Sequence, residues 1–191
     1  MYIIGITGTL GAGKGTVVEY LTGQKGFLHY SVRDFLRQEI VRQGQRVNRD
    51  TLTHTANSIR AEKGSSYIVQ QLFERARSKG SDCVIESIRT PGEIDALEKN
   101  RDFYLLAVDA DPGLRYNRIR SRGSETDMVS FDVFRMNEER EMHSFDPNKQ
   151  NLSECIARAD YVIVNNGTIS DLNLETEKFL EKISYYKYKE K

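Results

Sequence analysis

The fold is decided by one stretch of sequence, Gly8-Thr9-Leu10-Gly11-Ala12-Gly13-Lys14-Gly15-Thr16. It follows the apolar residues 2–6 (YIIGI) and precedes residues 17–21 (VVEYL). This order predicts a strand, a glycine-rich loop and the start of a helix, which is the context that a phosphate-binding loop requires. Glycines let successive backbone N–H groups converge on an anion, and the helix N-terminus adds unsatisfied donors and the positive end of its dipole.

The positions in this loop predict distinct contacts with a nucleoside triphosphate. Lys14 supplies a mobile cation for the outer phosphates. Gly15 stands where a Ser or Thr hydroxyl usually meets Mg²⁺, and the hydroxyl comes one residue later, at Thr16. We therefore expect ATP and Mg²⁺ as cofactors, with Thr16 on the metal side. The predicted ATP-binding residues of the loop are Gly11, Ala12, Gly13, Lys14, Gly15 and Thr16.

The size and charge of the chain limit the possible partners. Its 191 residues suffice for one substantial core, so we predict a single domain over residues 1–191. The 28 Lys and Arg balance 28 Asp and Glu, so no global field draws the chain to nucleic acid or to an anionic membrane. No apolar run approaches the ~20 residues of a membrane span. We predict a nucleotide acceptor as partner, no nucleic acid, no membrane, and a monomer or homodimer.

The two cysteines indicate the redox setting. Cys83 lies in an apolar run and Cys155 in a predicted helix, with no CxxC pair and no histidine at metal-ligand spacing. Both are therefore expected to be buried thiols. The first residues have the pattern of a core strand rather than of a cationic leader. These features favour a reducing, cytoplasmic setting.

Apolar runs alternate with helical patterns along the whole chain, which predicts an α/β fold with a parallel sheet and right-handed crossovers. Strands are predicted at residues 2–6, 27–30, 83–86, 103–109 and 160–164. Between the second and third strands, helices are predicted from Ser31 to Gly44, from residue 50 or 51 to about 62 and from Ser65. The other helices are predicted from the loop to Gly23, from Pro91, from Pro112 to Gly123 and from about 130 to 142. A terminal helix and a solvated tail at 185–191 follow the last strand.

Two helical segments have a predicted role in closing over substrates. Residues 31–80 contain the helices between the second and third strands, and we predict that they bind the acceptor. Residues 118–150 are predicted to form a short lid. The polar composition of residues 124–151 suits a mobile flap more than a core.

Polar side chains follow the strands at the edge where such sheets bind ligands. Arg37 and Arg89 come after the second and third strands, and their bidentate forks predict a clasp for an acceptor phosphate. Glu86 ends a buried strand, where a carboxylate needs a cation, a metal or N–H donors. A water-mediated contact with Mg²⁺, helped by Asp34 or Asp109, and a cap on the following helix both satisfy this requirement.

Arginines near the predicted lid are candidates for the transferring phosphoryl group. Arg118 and Arg122 are four residues apart and so share one helix face. We predict that they bridge the transferring group when the lid closes. Arg120, Arg135 and Arg140 fit helix salt bridges equally well.

Three segments resemble the nucleoside monophosphate kinases, specifically the adenylate-kinase-like branch. Residues 13–16 (GKGT) match that family's loop, residues 29–37 (HYSVRDFLR) are similar to its segment His-x-Ser-Thr-Gly-Asp-x-Leu-Arg, and residues 86–90 (ESIRT) are similar to Asp-Gly-Phe-Pro-Arg-Thr. The resemblance covers nearly the whole chain. It implies a three-layer P-loop kinase fold with a five-stranded parallel sheet, a helical acceptor-binding insertion and a short lid, and ATP-dependent phosphoryl transfer to a (deoxy)nucleoside monophosphate.

The resemblance also implies roles for individual residues. Arg37 and Arg89 would hold the acceptor phosphate, and Glu86 would be the metal-side carboxylate. Residues 118–122 match the start of the family's lid, and residues 165–168 (NNGT) resemble the loop beside the donor adenine, which adds Arg118 and Gly167 to the ATP site. The predicted catalytic residues are Lys14, Arg89, Arg118 and Arg122, and the predicted substrate-binding residues are Ser31, Asp34, Arg37, Glu86 and Arg89.

Further resemblances leave the acceptor open. Residues 159–167 (ADYVIVNNG) look like dephospho-CoA kinase, in which a carboxylate base, here Asp34, would activate a ribose hydroxyl. Residues 85–97 and 138–141 look like archaeal adenylate-kinase-related proteins and the kinase-like parts of some deoxycytidylate deaminases. A third alternative is a non-catalytic ATP-binding sensor. Residues 148–151 (NKQN) lack the aspartate of a guanine-binding motif, so a GTPase switch is not favoured.

Overall fold

The structure, a computed structural model, describes residues 1–123 and 129–189. Within these residues each strand is followed by one helix or by three consecutive helices. The strands are β1 (Ile3–Gly8), β2 (Leu28–Ser31), β3 (Cys83–Glu86), β4 (Phe103–Asp109) and β5 (Tyr161–Val164). The helices are α1 (Lys14–Lys25), α2 (Val32–Arg42), α3 (Arg49–Lys63), α4 (Tyr67–Lys79), α5 (Pro91–Leu97), α6 (Pro112–Arg122), α7 (Phe131–Met142), α8 (Leu152–Ala157) and α9 (Ile169–Lys189).

The five strands form one parallel sheet in the order β2-β3-β1-β4-β5. This confirms the predicted five-stranded parallel sheet. Because β1 is the central strand, the loop that follows it emerges at the carboxyl edge of the sheet, between β3 and β4. That edge is where ligands of open α/β sheets bind.

Helices cover both faces of the sheet, as the three-layer architecture requires. Ile3 and Ile85 point to a core layer shared with α2, α3, α4, α5 and α8. Their neighbours Ile4 and Val84 point to the opposite layer, formed with α1 and α9. The alternation follows from the two-residue period of strands. The α/β three-layer fold is thereby confirmed.

Some predicted boundaries differ from the structure. α1 passes through Gly23, where a Cβ would meet open space, and ends at Lys25 because Gly26 adopts the left-handed cap with φ 73°. α3 begins earlier than predicted, since the side chain of Asn48 accepts a hydrogen bond from the N–H of Thr51. α4 begins after Ser66 instead of Ser65.

The predicted lid and the C-terminal tail both contact the rest of the protein. α7 buries Phe134 (1% exposed) and Glu141 (5% exposed), while its other side chains are partly or fully exposed, and the lid role of residues 118–150 stays a prediction. Residues 124–128 of the predicted lid lie outside the described residues. In the tail, α9 runs to residue 189, and the Nζ of Lys187 donates a hydrogen bond to the Met1 carbonyl at 2.6 Å. The prediction of a solvated tail from residue 185 is therefore wrong at Lys187.

Both cysteines are buried and free, as predicted. Burial raises the pKa of the Cys83 and Cys155 thiols to about 12. Over the part of the chain that the structure describes, no helix combines the length and the apolar character needed to cross a membrane.

Candidate active site

The loop between β1 and α1 has a backbone shape that requires glycine. Gly8, Gly11 and Gly13 have φ angles of 127°, 80° and 107°. A Cβ on Gly8 would lie 1.9 Å from the carbonyl oxygen of Val108, and one on Gly11 would lie 2.6 Å from that of Arg115. The glycines therefore provide both the left-handed backbone and the close approach to β4 and α6.

Neighbouring elements hold this loop in place. Asn165, which follows β5, donates from Nδ2 to the carbonyl of Ala12 at 2.8 Å. The hydroxyl of Thr9 donates to Asp109 at 2.5 Å. Arg115 donates from Nη1 to the carbonyl of Leu10 at 3.4 Å, and its side chain is 4% exposed. The loop is thus fixed from the β4 and β5 side of the sheet.

Lys14 lies inside the curve of the loop. Its Nζ donates to the carbonyls of Gly8 at 2.8 Å and Thr9 at 2.6 Å. Burial, and then the positive charge of Arg89, lower the pKa of Lys14 from 10.5 to about 7. An anion bound at the loop would stabilise the ammonium form of this side chain.

One open cavity lies over the loop, and we call it the loop cavity. It is also bordered by Leu10, Glu19, Arg33, Ser87, Ile119 and the β5–α9 segment. Most of the residues that the sequence predicts for a site line it together: Gly11, Gly13, Lys14, Gly15, Thr16, Glu86, Arg89, Arg118, Arg122 and Gly167. Ala12, which belongs to the loop, has a buried side chain and does not line the cavity. The loop, the end of β3, α6 and the segment after β5 therefore meet at one edge of the sheet, and the roles of their residues stay predictions.

Glu86 is an ionised, oriented carboxylate at this cavity. Its Oε1 accepts a hydrogen bond from the hydroxyl of Ser31 at 2.8 Å and lies 3.6 Å from His29 Nε2. Burial alone would raise the pKa of Glu86, but the nearby imidazole of His29, the hydrogen bond from Ser31 and the charge of Lys14 outweigh it and hold the pKa below its usual value. The carboxylate of Glu86, 3.6 Å away, in turn raises the pKa of His29.

A second cavity, the helix cavity, opens between α2, α3 and the segment after β3. Its apolar wall consists of Leu10, Val32, Leu36, Leu52 and Ala56. Its polar wall consists of Arg33, Arg49, Thr53, Arg60, Ser87, Arg89, Glu141 and Gln150. Leu10, Arg33, Ser87 and Arg89 line both cavities, so the two spaces meet at these residues.

Arg89 is held by an acid from α7. Its Nη1 donates to Glu141 Oε2 at 2.9 Å and to Gln150 Oε1 at 2.6 Å. Glu141 Oε1 accepts from Arg49 Nη2 at 2.6 Å. Burial would raise the pKa of Glu141, but the charges of Arg89 and Arg49 outweigh it and lower the pKa. One carboxylate therefore joins two arginines that line the helix cavity.

The backbone of Arg89 is fixed by a buried ion pair. Arg60 and Glu93 have side chains that are 1% and 0% exposed, with Nη2 and Oε1 2.9 Å apart. The other oxygen of Glu93 accepts from the backbone N–H groups of Arg89 at 2.7 Å and Thr90 at 3.1 Å. Glu93 thus caps α5 and positions the Arg89 segment at once.

Four candidate residues line neither cavity: Asp34, Arg37, Asp109 and Ser31, the last of which reaches the site only through its hydrogen bond to Glu86. Arg37 and Asp34 are exposed on α2 and line neither the loop cavity nor the helix cavity. Asp109 serves the loop through its hydrogen bond with Thr9 and lies 3.7 Å from Arg115. Arg33, one turn before Arg37, lines both cavities instead.

Several site residues were missed in the sequence. Arg49 and Arg60 belong to the α3 face made of residues 49, 52, 53, 56 and 60, and this helical spacing was a usable signal. His29 shares a face of β2 with Ser31, two residues later. No sequence pattern around Ser87 identifies it as a site residue. In the described part of the chain it is the one non-glycine residue with a positive φ (69°). Such strain clusters at functional sites.

Comparisons with known proteins show the family and the fold of this chain. A family model described as an AAA domain matches residues 4–146. A UPF0200 protein from Pyrobaculum aerophilum is 32% identical over 180 residues, which span 93% of this chain and 96% of that protein. The chain belongs to the UPF0200 family. A UPF0200 protein from Methanothermobacter thermautotrophicus is 30% identical to this member over 186 residues, spanning 96% of this chain and 92% of the relative.

Solved structures share the fold of this UPF0200 protein. TT1252 from Thermus thermophilus has a TM-score of 0.60 at 20% identity, with 97% of both chains covered. A gluconokinase from Sinorhizobium meliloti also scores 0.60, at 12% identity over 99% of this chain and 97% of that one. Shikimate kinase from Aquifex aeolicus scores 0.56 at 14% identity, with 94% and 96% covered. These likenesses establish a P-loop kinase-like fold.

Proposed function

We propose that this UPF0200 protein is a phosphotransferase that moves a phosphoryl group from ATP to a small nucleotide, a nucleoside monophosphate of the ribo or deoxy series. The observation that carries the proposal is the junction of the two cavities. Leu10, Arg33, Ser87 and Arg89 line both the loop cavity and the helix cavity. A donor phosphate on the loop and an acceptor phosphate in the helix cavity would therefore meet between Arg33 and Arg89.

The loop fits the triphosphate of ATP. A Cβ at Gly11 would lie 2.6 Å from the carbonyl oxygen of Arg115 and one at Gly13 2.4 Å from Asn165 Nδ2, so this loop backbone requires glycine at both positions, whereas Gly15 has open space within 4 Å of where a Cβ would lie. Unsatisfied N–H groups at the start of α1 favour an anion there. When bound, MgATP supplies the transferable group and part of the charge screening. Lys14 would hold its outer phosphates.

Thr16 and Glu86 are the residues proposed to lie near Mg²⁺, and both line the loop cavity. Among residues 1–123 and 129–189, no three His, Cys, Asp or Glu side chains cluster as a metal site. This fits an ion carried mainly by nucleotide phosphates and water, as Mg²⁺ is in many phosphoryl-transfer sites. Thr16 would offer a hydroxyl and Glu86 a water-mediated contact.

Arginines provide the remaining charge complementarity. Arg118 donates from Nη1 to the Asn165 carbonyl at 2.9 Å and lines the loop cavity with Arg122. We assign these two arginines to the transferring group and Arg33 and Arg89 to the acceptor phosphate. Positioning and charge stabilisation are the main demands of phosphoryl transfer. The assignment of Arg37 to the acceptor phosphate stays a prediction.

The helix cavity has a volume of about 90 Å³ in this structure, below the 300–1,000 Å³ that sites for small ligands commonly hold, so a nucleotide would have to widen it on binding. Its apolar wall suits a base, and the residue range 31–80 contributes most of that wall. A cytoplasmic setting, which supplies ATP and keeps both free thiols reduced, is part of the proposal.

Dephospho-CoA kinase and a non-catalytic ATP sensor are the alternatives. The first requires a carboxylate base beside a ribose hydroxyl, and its candidate, Asp34, is exposed and lines neither cavity. The second would bind ATP without turnover. The joined cavities give the monophosphate kinase more support than either alternative.

The test is ADP formation from ATP and Mg²⁺ with a panel of ribo- and deoxynucleoside monophosphates, dephospho-CoA, and no acceptor. We expect at least one monophosphate to raise ADP formation well above the acceptor-free rate. The variant Lys14→Ala, purified in parallel, reports contaminating kinases. If dephospho-CoA alone is phosphorylated, or if ATP binds and no acceptor raises ADP formation, the proposal is wrong.

A further inference from the structure

The helix cavity is bordered by a buried guanidinium group with an unused donor. Arg60 is 1% exposed, and its Nε and Nη2 both donate to Glu93 Oε1, at 3.2 and 2.9 Å. Its third nitrogen, Nη1, is buried and has no hydrogen-bond partner in the described part of the chain. Folded proteins leave few buried polar groups unsatisfied, so this donor needs an explanation.

Glu93 cannot take up the spare donor. Its Oε1 already accepts twice from Arg60, and its Oε2 accepts from the N–H groups of Arg89 and Thr90. The bidentate pairing also fixes the plane of the guanidinium group. Nη1 of Arg60 is therefore a rigid, charged donor that no group of the described chain satisfies, so its partner is a ligand or a water molecule.

The rest of the cavity indicates the shape of that partner. Leu36, Leu52 and Ala56 lie on the apolar wall that borders the same space as Arg60. Arg60 lines the helix cavity and is absent from the lining of the loop cavity. A flat apolar ring with an acceptor atom on its edge fits a wall of this kind better than a sugar or an aliphatic acid does.

We propose that the acceptor base carries a carbonyl at the ring position opposite the sugar, and that this oxygen accepts a hydrogen bond from Arg60 Nη1. The substrate class is then monophosphates of guanine, uracil or thymine. This inference rests on the proposed function for the location of the acceptor, and it adds the base. Charged donors of arginine pair well with the carbonyl oxygens of bases, as they do with guanine in nucleic acids.

The same donor disfavours adenine and cytosine. At the ring position opposite the sugar, guanine, uracil and thymine present a carbonyl oxygen, whereas adenine and cytosine present an amino group. An amino group facing Arg60 would place two donors together and leave both without an acceptor. A site built around a hydrogen bond rejects the analogue that cannot make it.

The first experiment deletes the carbonyl from the substrate. Binding by calorimetry and ADP formation are measured for the wild-type protein with GMP, UMP and dTMP against AMP and CMP. GMP is also compared with 2-aminopurine ribonucleoside monophosphate, and UMP with pyrimidin-2-one ribonucleoside monophosphate, which lack the relevant oxygen. We expect a loss of ~10- to 100-fold in kcat/KM or affinity on deletion, the size of one hydrogen bond to a charged group.

The second experiment changes the protein. Arg60→Lys keeps a positive charge beside Glu93 but removes the fixed fork, so keto and amino bases should become similar in kcat/KM. Arg158→Lys is the matched control, because Arg158 also pairs with carboxylates, at 2.7 Å from Asp95 and 2.6 Å from Glu98, outside both cavities. Thermal unfolding of both variants shows whether they fold. If Arg60→Lys does not fold, the comparison of keto substrates with their oxygen-deleted analogues on the wild-type protein still tests the inference.

The outcomes separate this inference from the proposed function. Preferred phosphorylation of AMP or CMP, or equal use of the oxygen-deleted analogues, overturns the inference and leaves the kinase intact. Selective binding of keto-base monophosphates without ADP formation supports the inference and overturns the kinase. Neither binding nor turnover of any monophosphate overturns both.

Discussion

Arg89 donates a hydrogen bond to Glu141 at 2.9 Å across 52 positions of the chain. The pair connects the segment after β3, which borders both cavities, to α7. Arg49 shares the same carboxylate at 2.6 Å. An acceptor phosphate that pairs with Arg89 therefore has to exchange places with Glu141 or share the arginine with it.

Neutralising this carboxylate should weaken folding and strengthen acceptor binding. In Glu141→Gln the two arginines repel each other without a counter-charge, so we expect the free energy of unfolding to fall by about 1–3 kcal/mol, less than for a fully buried pair. The acceptor KM should fall as well. Urea denaturation and acceptor titration measure the two effects. Glu139→Gln, at an exposed position of α7, is the control, and an increase in acceptor KM would contradict the prediction.

Removing Lys14 from the phosphate-binding loop should abolish most of the phosphoryl transfer. Lys14→Met takes away the cation proposed for the outer phosphates, and we expect a loss of ~2–4 kcal/mol of transition-state stabilisation, by analogy with the removal of one oriented donor. The measurement is kcat/KM for ADP formation. Lys25→Met is the control, because Lys25 lies on α1 with Lys14 but pairs with Glu177 of α9 at 2.6 Å, and this variant should keep its activity.

ATP binding should take up a proton at alkaline pH. With its pKa lowered to about 7, Lys14 is mostly neutral at pH 8 before binding, and the triphosphate favours its ammonium form. We expect calorimetry of MgATP binding in buffers of different ionisation enthalpy to report uptake approaching one proton at pH 8 and much less at pH 6, where Lys14 is already charged. Equal uptake at both values would rule out this origin.

The buried ion pair between Arg60 and Glu93 should contribute substantially to the stability of the fold. Glu93→Ala leaves Arg60 charged and uncompensated at 1% exposure, so we expect a loss of ~3–5 kcal/mol in the free energy of unfolding. Glu98→Ala removes an exposed partner of Arg158 and should cost less than ~1 kcal/mol. Denaturant unfolding compares the two, and similar losses would mean that Arg60 finds another counter-charge.

Alanine substitutions at two glycines of the loop should change the free energy of unfolding in opposite directions. Gly8→Ala forces a Cβ to 1.9 Å from the Val108 carbonyl oxygen at a φ of 127°, and we expect it to cost at least ~3 kcal/mol. Gly15→Ala has open space in a helical position and should gain ~0.5–1 kcal/mol while impairing ATP binding. Unfolding curves and ATP titrations of both variants check this.

The sequence was informative wherever a feature depends on neighbouring residues. The glycines and Lys14 predicted the loop, and the Ser31 cap and Pro91 start were visible because capping chemistry spans a few residues. It was less informative about side-chain direction. Arg37 matched a family segment, yet Arg33 borders the cavities, because one helical turn moves a side chain ~6 Å farther from the strand end.

The sequence by itself determined the phosphate-binding loop, the five parallel strands and the two buried thiols, since backbone freedom of glycine and the period of apolar residues are local properties. Only the tertiary structure decided the strand order, the contact of Glu141 with Arg49 and Arg89, and the burial of Arg60 against Glu93. These pairs join residues that are 92, 52 and 33 positions apart, so they depend on how helices pack rather than on any local pattern.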